Sequence, residues 1–342
     1  MGCVTALALS RRKGVEVVVL ERAIPGAEAS SAAAGILGAQ IEGHEPGPHF
    51  DMAVRARAAY PGFAAELEAE TGIHVGYKRC GVLKVALDGE PTTALEGLVG
   101  WQRRAGMNAE LLDGAGARKI EPMLGERVTA AAYFPDDAQV EPPVLLRALA
   151  AAIARRPGFE IRTGVTVRGL LSEGDRCLGV ALDSGELRAD ATVLAAGSWS
   201  SLVAGLPAGL PAVKPVRGQL VQLDERPPRV RAIVFGPGGY VVPRGDGRVI
   251  CGSTMEQVGY RREVTAAGVH GILRTALALV PSLGDAQLGP AWASFRPFAD
   301  APLIGASPLP GLFLATGHHR NGILLAPETG ARVAALVLGE SA

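Results

Sequence analysis

Two arginines occupy positions from which a protein could bind a small carboxylate. Arg296 lies in the stretch SFRPFAD and Arg320 in GHHRNG, each beside glycine or proline near the end of an apolar run. A guanidinium binds a carboxylate through two parallel hydrogen bonds and stays charged at neutral pH. Tyr240, in GGYVVPR, begins a predicted strand and could donate its hydroxyl to the same carboxylate. The alternatives for these residues are surface ion pairs and a half-buried aromatic ring.

Other catalytic patterns do not stand out in the sequence. We find no Ser-His-Asp arrangement, no phosphate-binding loop and no histidine spacing typical of a metal site. His318 and His319 are adjacent, but neighbouring residues of a helix or strand point in different directions. We therefore expect no metal ion.

The chain opens MGCVTALALSRRKGVEVVVLER, which is typical of the later part of a dinucleotide-binding βαβ unit. Residues 3–12 predict a helix, and residues 15–20 predict a buried strand that is followed by an acid, Glu21. In such a unit the acid holds a ribose hydroxyl, and a glycine-rich turn lets the pyrophosphate approach. Gly2 takes the place of the third glycine, so we expect the opening strand and two glycines to precede Met1. The alternative is an ordinary α/β start.

A run of small residues, SSAAAGILGAQ at 30–40, follows that strand. Small side chains let a backbone lie flat against a ligand, although a packed alanine-rich helix is the alternative. Two later buried strands, at 191–195 and 312–315, lead into glycines, as strands do where doubly wound sheets bind nucleotides. After the second strand, residues 322–325 would place free backbone amides before a helix, which favours negative charge there.

Helical and strand segments follow one another along the chain, which predicts an α/β protein with a mixed sheet. We expect helices at 52–71, 94–106, 142–155, 264–279 and 326–338. Pro61 and Gly62 are expected to break the first of these into two. We expect strands at 82–87, 159–162, 165–171, 178–182, 191–195, 219–223, 232–235, 240–243, 249–251 and 312–315. No low-complexity linker separates them, so we expect interwoven domains.

Composition narrows the class of protein further. A chain of 342 residues with 48% hydrophobic content is long enough for two domains with large cores. Its formal net charge of +0 gives no electrostatic reason to expect nucleic acid or an anionic membrane as a partner. Four well-separated cysteines predict free thiols in a reducing cytosol, and no apolar run reaches membrane-spanning length. We therefore expect a cytoplasmic protein.

Several motifs together resemble the D-amino-acid-oxidase-type family of FAD-dependent oxidoreductases, and within it the glycine oxidases of thiamine biosynthesis. They are VVLER, SSAAAGILGAQ, VEPPVLLRAL, VLAAGSWS, VKPVRGQ, GGYVVPR, CGSTME, SFRP and GHHRNGILLAPETG. The resemblance implies a discontinuous FAD-binding domain of the glutathione-reductase type, Rossmann-like but without its first strand, at 1–45, 140–200 and 297–342. It implies a substrate domain with a mixed, largely antiparallel sheet at 46–139 and 201–296.

The resemblance also implies which residues bind FAD, and that they do so without a covalent bond. Glu21 would hold the adenosine ribose, and the backbone of Val165 would contact the adenine. The amides of Gly322, Ile323 and Leu324 would contact the pyrimidine edge of the flavin. The other implied cofactor contacts are Gly2, Ser30, Ser31, Ala34, Gly35, Ala196, Gly197 and Trp199.

The implied substrate site contains Tyr240, Arg296 and Arg320, with Arg296 as the main carboxylate clamp and Met255 lining the pocket. Gly238 stands where the family often has a polar side chain, so the pocket is expected to be wider or wetter. The implied reaction is oxidative deamination of a small amino acid, glycine first, by hydride transfer from the α-carbon to flavin N5. It would consume dioxygen and yield an imine or 2-oxo acid, ammonia and hydrogen peroxide.

Alternatives to glycine oxidation remain open at this point. They are a sarcosine or D-amino-acid oxidase or dehydrogenase of the same fold, and an inactive, flavin-free chain that lacks its N-terminal strand. Thiazole-synthesis enzymes are the partners that the resemblance implies, and a homo-oligomer is a further expectation.

Overall fold

The computed structural model describes residues 1–340. Its helices are α1 (Gly2–Leu9), α2 (Ala29–Ala32), α3 (Pro48–Thr71), α4 (Thr93–Arg104), α5 (Gly114–Ile120), α6 (Pro142–Ala154), α7 (Ala266–Leu279) and α8 (Ala326–Val337), with 3-10 helices at Gly197–Leu202 and Pro281–Asp285. Its strands are β1 (Val17–Glu21), β2 (Ile36–Leu37), β3 (Val82–Leu87), β4 (Glu110–Asp113), β5 (Val128–Phe134), β6 (Ala138–Gln139), β7 (Phe159–Thr163), β8 (Val167–Glu173), β9 (Arg176–Leu182), β10 (Gly185–Arg188), β11 (Thr192–Leu194), β12 (Lys214–Asp224), β13 (Ile233–Gly236), β14 (Gly239–Pro243), β15 (Arg248–Gly252), β16 (Gln287–Ala306) and β17 (Leu312–His318).

One large mixed sheet dominates the described part of the chain. Its strand order is β11-β17-β16-β12-β15-β14-β13-β3-β5-β4, in which β11–β17 and β13–β3 are parallel and the other pairs are antiparallel. Smaller sheets pair β1 with β7 in parallel, β2 with β6, and β9 with β8 and β10. The predicted α/β fold with a mixed, largely antiparallel sheet is confirmed.

Helices α1, α3, α6 and α8 bury one common core beside the β1–β7 pair. Small residues allow them to approach closely: Ala6 and Ala56 are almost fully buried. A Cβ on Gly330 of α8 would lie 2.8 Å from the carbonyl oxygen of Val4 in α1. This close packing fixes α8, and with it the loop before α8, against the N-terminal helix.

The predicted break of the first long helix at Pro61 and Gly62 is wrong. Helix α3 continues through both residues from Pro48 to Thr71. Proline removes one helical hydrogen bond, but the flanking Tyr60 and Ala64 are buried, and this packing holds the helix together on both sides.

Elsewhere the main differences are missed strands. β5 was not expected because its central residues, 130–132, are three alanines that lack a strand-like alternation of apolar and polar side chains. β16 spans twenty residues and contains prolines, and its pairing with β12 and β17 compensates for the weak local signal. Within residues 1–340, no helix has both the length and the apolar character that a bilayer span requires.

Candidate active site

A cavity of about 810 Å³ is lined by residues from β1, β11, β16, the small-residue run and the loop after β17. This volume lies in the range of small-molecule binding sites. Most of the predicted site residues line it, namely Gly2, Glu21, Ser30, Ala34, Gly35, Val165, Ala196, Gly197, Trp199, Tyr240, Arg296, Arg320, Gly322 and Ile323. The fold therefore brings distant parts of the sequence to one site.

Three predicted residues do not line this cavity. The hydroxyl of Ser31 lies beside Gly26 rather than the open space. Leu324 is 1% exposed and packs into the helical core. Met255 is 60% exposed and points elsewhere, although Ser253 of the same loop does line the cavity.

One end of the cavity carries the acid that the sequence singled out. Glu21 is the last residue of β1, and its Oε1 accepts a hydrogen bond of 2.9 Å from the amide of Ala23. The amide of Val165 donates to the carbonyl of Glu21 at 3.0 Å. In the described chain no hydrogen bond goes to the carbonyl oxygen of Val165, so this oxygen could accept one from a ligand, such as the amino group of an adenine.

The run of small residues forms a turn against the cavity rather than one packed helix. Only Ala29–Ala32 is helical, and Gly35 then adopts the left-handed conformation with φ +78°. A Cβ at Gly35 would overlap the carbonyl oxygen of Val140. The indole of Trp292 donates to the carbonyl of Ala32 at 3.0 Å. Side chains from the large sheet thus hold this backbone in place.

The 3-10 helix after β11 presents an aromatic wall. Gly197 begins it with φ +55°, which glycine adopts without strain. The ring of Trp199 is covered by the guanidinium of Arg22 at 4.4 Å and stacks on Tyr260 with centroids 5.4 Å apart. These contacts fix Trp199 as a rigid part of the cavity lining.

The loop before α8 offers unpaired backbone donors. In the described part of the chain, the amides of Gly322, Ile323 and Leu324 have no hydrogen-bond acceptor. The Tyr60 hydroxyl donates to the carbonyl of Ile323 at 2.8 Å, which holds the loop in place. Such amides stabilise the negative charge that a flavin pyrimidine ring gains on reduction. The amides of Gly322 and Ile323, which line the cavity, fit FAD together with the acid of β1 and the close-approach turn.

Arg296 lies in β16 and reaches into the cavity from the large sheet. Its guanidinium donates to the Ser253 hydroxyl at 2.7 Å and to the Thr254 carbonyl at 3.1 Å, and Tyr240 lies beside it. Burial lowers the pKa of Arg296 from its ordinary value, but guanidinium remains charged at neutral pH. Among residues 1–340, no carboxylate pairs with it. The group is thus a cation available to an anionic ligand.

Arg320, by contrast, already has an acidic partner. It forms an ion pair of 2.6 Å with Glu42, and both residues line the cavity. The sequence gives no signal for this role of Glu42 beyond its place as the first acid after the small-residue run. Its position means that Arg320 contributes less net charge to the site than Arg296 does.

His318 and His319 lie at this end of the cavity, and both line it. His318 bonds Thr329 through Nε2 at 3.0 Å, and burial lowers its pKa to about 3. His319 has φ 48°, and burial together with the charges of Arg296 and Arg320 lowers its pKa to about 4. Both imidazoles are therefore neutral at pH 7. The described residues contain no cluster of His, Cys, Asp and Glu that could hold a metal ion.

The low pKa of His318 predicts a loss of stability in acid. The unfolded chain binds a proton near pH 6.5, whereas the folded chain binds it only near pH 3, so stability falls as pH drops between these values. From pH 7 to pH 5 the free energy of unfolding should fall by about 2 kcal/mol more in the wild type than in His318→Gln. Urea unfolding of both proteins at the two pH values measures this, and equal losses would contradict it.

A substitution at Gly218 should displace the guanidinium of Arg296 without removing its charge. A Cβ on Gly218 would come within 2.5 Å of Cζ of Arg296. Gly218→Ala should therefore shift the guanidinium and raise the KM for an amino-acid substrate about tenfold, while FAD remains bound. Steady-state kinetics measures the change. Gly245→Ala is the matched control because nothing lies near its Cβ position, and an equal KM in both variants would refute the contact.

Comparisons with known proteins agree with an FAD site of this kind. Residues 1–336 match the family model DAO, described as FAD dependent oxidoreductase. The bifunctional protein ThiO/ThiG of Synechocystis sp. is 36% identical over 337 residues, which cover 96% of this chain and 49% of that protein. The glycine oxidase of Geobacillus kaustophilus is 36% identical over 345 residues, which cover 98% of this chain and 90% of that protein. The chain spans about half the length of its ThiO/ThiG relatives.

Solved structures show the same relationship. The crystal structure of glycine oxidase from Geobacillus kaustophilus superposes with a TM-score of 0.94 at 34% identity, covering 100% of this chain and 92% of that one. Iminodiacetate oxidase from Chelativorans sp. BNC1 superposes with a TM-score of 0.88 at 25% identity, covering 99% and 93%. The chain therefore belongs to the DAO family of FAD-dependent oxidoreductases, and FAD is its cofactor.

Proposed function

We propose that this FAD-dependent amino-acid oxidase acts on glycine and serves thiazole synthesis for thiamine. The observation that carries the proposal is the guanidinium of Arg296, which reaches the cavity and donates only to neutral oxygens. A substrate carboxylate would complete its charge-assisted hydrogen bonds. Relatives named glycine oxidase and ThiO/ThiG support glycine and the thiazole link.

The residues of the site have separate tasks in this proposal. Arg296 and Tyr240 hold the carboxylate and so orient the α-carbon. The positive charge of Arg296 would lower the pKa of the substrate ammonium and so favour the neutral amine that reacts, whereas Arg320 is already paired with Glu42. FAD, which Glu21, Gly35 and the amides of Gly322 and Ile323 would hold, would supply the two-electron oxidation of the amine, and dioxygen would then take up the electron pair to give hydrogen peroxide. The imine would either hydrolyse to glyoxylate and ammonia or pass to thiazole synthesis.

The proposal also includes a domain division, a partner enzyme, a cellular compartment and an oligomeric state. We propose the FAD-binding domain at 1–45, 140–200 and 297–342 and the substrate domain at 46–139 and 201–296. The fused ThiO/ThiG relatives support a thiazole-synthesis enzyme as the partner that consumes the imine. Four free cysteines are consistent with a reducing cytosol, and a homo-oligomer is proposed on the resemblance alone.

A panel of amines separates glycine from the alternative substrates. Hydrogen peroxide production should be measured with glycine, sarcosine, D-alanine and D-proline at matched concentrations. We expect the highest kcat/KM for glycine. A higher value for sarcosine or a D-amino acid would assign the chain to the corresponding oxidase, and flavin reduction without peroxide would indicate a dehydrogenase.

Glu21 tests the orientation of the cofactor. Glu21→Gln removes the charged acceptor at the end of β1, so the Kd for FAD should rise about tenfold because hydrogen bonds to a charged group are the stronger ones. Fluorescence titration of the apoprotein with FAD measures this. Glu16→Gln is the control, because Glu16 is exposed and lies outside the cavity. Equal FAD affinities of the two variants would remove the ribose role.

A further inference from the structure

Arg244 makes unusual contacts for a basic residue behind the site. It directly follows β14, and its guanidinium donates to the carbonyl of Ala34 at 2.5 Å and to the carbonyl of Val140 at 3.2 Å. A further bond goes to the side-chain oxygen of Gln139. All three acceptors are neutral oxygens that come from two other segments of the chain.

Two other arginines of the described chain that are largely buried have carboxylate partners. Arg57 pairs with Asp137 at 2.6 Å, and Arg217 pairs with Glu256 at 2.6 Å. Within residues 1–340, Arg244 has no carboxylate within ion-pair distance. The neighbouring acid, Glu141, is paired with Arg248 at 2.8 Å.

The charge of Arg244 persists at neutral pH. Burial lowers its pKa to about 10, which is still well above 7. The guanidinium is therefore a cation whose own hydrogen-bond acceptors carry no charge. Glu141 and Asp246 lie close enough to raise its pKa, and Arg248 lies close enough to lower it. Among residues 1–340, Arg296, which lines the cavity, and Arg244, which lies behind its wall, have no carboxylate partner within ion-pair distance.

The backbone that Arg244 holds is part of the cavity wall. Ala34 and Gly35 line the cavity, whereas Arg244 does not. The carbonyl oxygen of Ala34 is therefore turned from the cavity toward the guanidinium. The amide of Val140 donates to the carbonyl of Gly35 at 2.9 Å, so the carbonyls of Ala34 and Gly35 are both held by groups behind the wall.

We propose that Arg244 is a positioning residue for the flavin: it holds the Ala34–Gly35 backbone against the bound cofactor and places a positive charge behind that backbone. This inference rests on the proposed placement of Ala34 and Gly35 at the cofactor, and it does not depend on the identity of the amine substrate. A fixed positive charge behind the site favours the reduced, anionic flavin and any other anionic form of the cofactor.

Sulfite binding tests the charge, because sulfite adds to flavin N5 and leaves negative charge on the ring. In the FAD-loaded protein, Arg244→Gln should raise the sulfite Kd on the order of tenfold, and lower the flavin reduction potential correspondingly. Arg244→Lys keeps the charge but loses the several N–H donors of the planar guanidinium. Its sulfite Kd should therefore stay close to that of the wild type, while FAD should bind more weakly. Arg127→Gln is the control, since Arg127 forms an exposed pair with Asp88.

The outcomes separate this inference from the glycine proposal. An unchanged sulfite Kd and reduction potential in Arg244→Gln would overturn the role of the charge. If that variant does not fold, Arg244→Lys decides, and an unchanged FAD Kd and flavin spectrum in it would overturn the positioning role. Reduction of the wild type by glycine is measured independently, so either proposal can fail while the other stands.

Discussion

Replacing Arg296 by alanine should raise the KM for glycine about 100-fold while FAD stays bound. The guanidinium donates to the neutral oxygens of Ser253 and Thr254, so in the proposed function a substrate carboxylate would supply its charged partner. Loss of a charge-assisted, bidentate contact in a partly buried site costs about 3 kcal/mol, which corresponds to this change. Steady-state kinetics across glycine concentrations gives the KM, and the absorbance of the purified variant gives its flavin content.

Two further variants define what that result means. Arg296→Lys keeps a positive charge but cannot form two parallel hydrogen bonds with a carboxylate, so its KM should lie between those of the wild type and Arg296→Ala. Arg127→Ala removes an exposed guanidinium of the same size and should leave the KM unchanged. A wild-type KM in Arg296→Ala would show that the carboxylate binds elsewhere, with Arg320 as the next candidate.

Replacing Gly35 by alanine should disrupt both the fold and cofactor binding. Its φ of +78° is unfavourable for residues with a Cβ, and the added carbon would overlap the carbonyl oxygen of Val140 and lie 2.7 Å from Cδ of Pro142. Conformational strain and overlap together should lower the free energy of unfolding by about 3 kcal/mol. FAD binding should weaken as well, because relief of the overlap moves the backbone that lines the cavity.

Gly62→Ala is the matched control for this prediction. Gly62 lies in α3 with open space around its Cβ position, so alanine there should leave stability unchanged or raise it by about 1 kcal/mol. Urea unfolding and FAD titration are carried out on both variants. Equal stabilities and equal FAD affinities would show that the turn at Gly35 tolerates a side chain, and would remove the argument for close approach.

The sequence predicted those parts of the fold whose signals are local. β17 and α8 follow from an apolar run that ends in glycine and from regular apolar spacing, and the structure places both close to the expected bounds. β5 is not predicted from the sequence because residues 130–132 are alanines. Its pairing with β3 and β4 specifies the strand instead. The continuous α3 depends on tertiary packing around Pro61 in the same way.

The candidate site shows the same division between local and distant information. Arg296 and Tyr240 could be chosen from residue type and from the motifs that carry the family resemblance. Glu42 and Arg244 could not, because their importance depends on contacts with Arg320 and with Ala34, which lie 278 and 210 residues away in the chain. Met255 was placed in the pocket by resemblance, but its side chain is 60% exposed.

The most direct test of the account is the visible absorbance of the FAD-loaded, 342-residue chain mixed with glycine in the absence of oxygen. We predict that the oxidised flavin bands bleach, and that admitting air restores them with the formation of hydrogen peroxide. Flavin bands that persist with glycine but bleach with sarcosine or a D-amino acid would contradict glycine as the substrate. Bands that persist with all of these amines would contradict the proposed amino-acid oxidation itself.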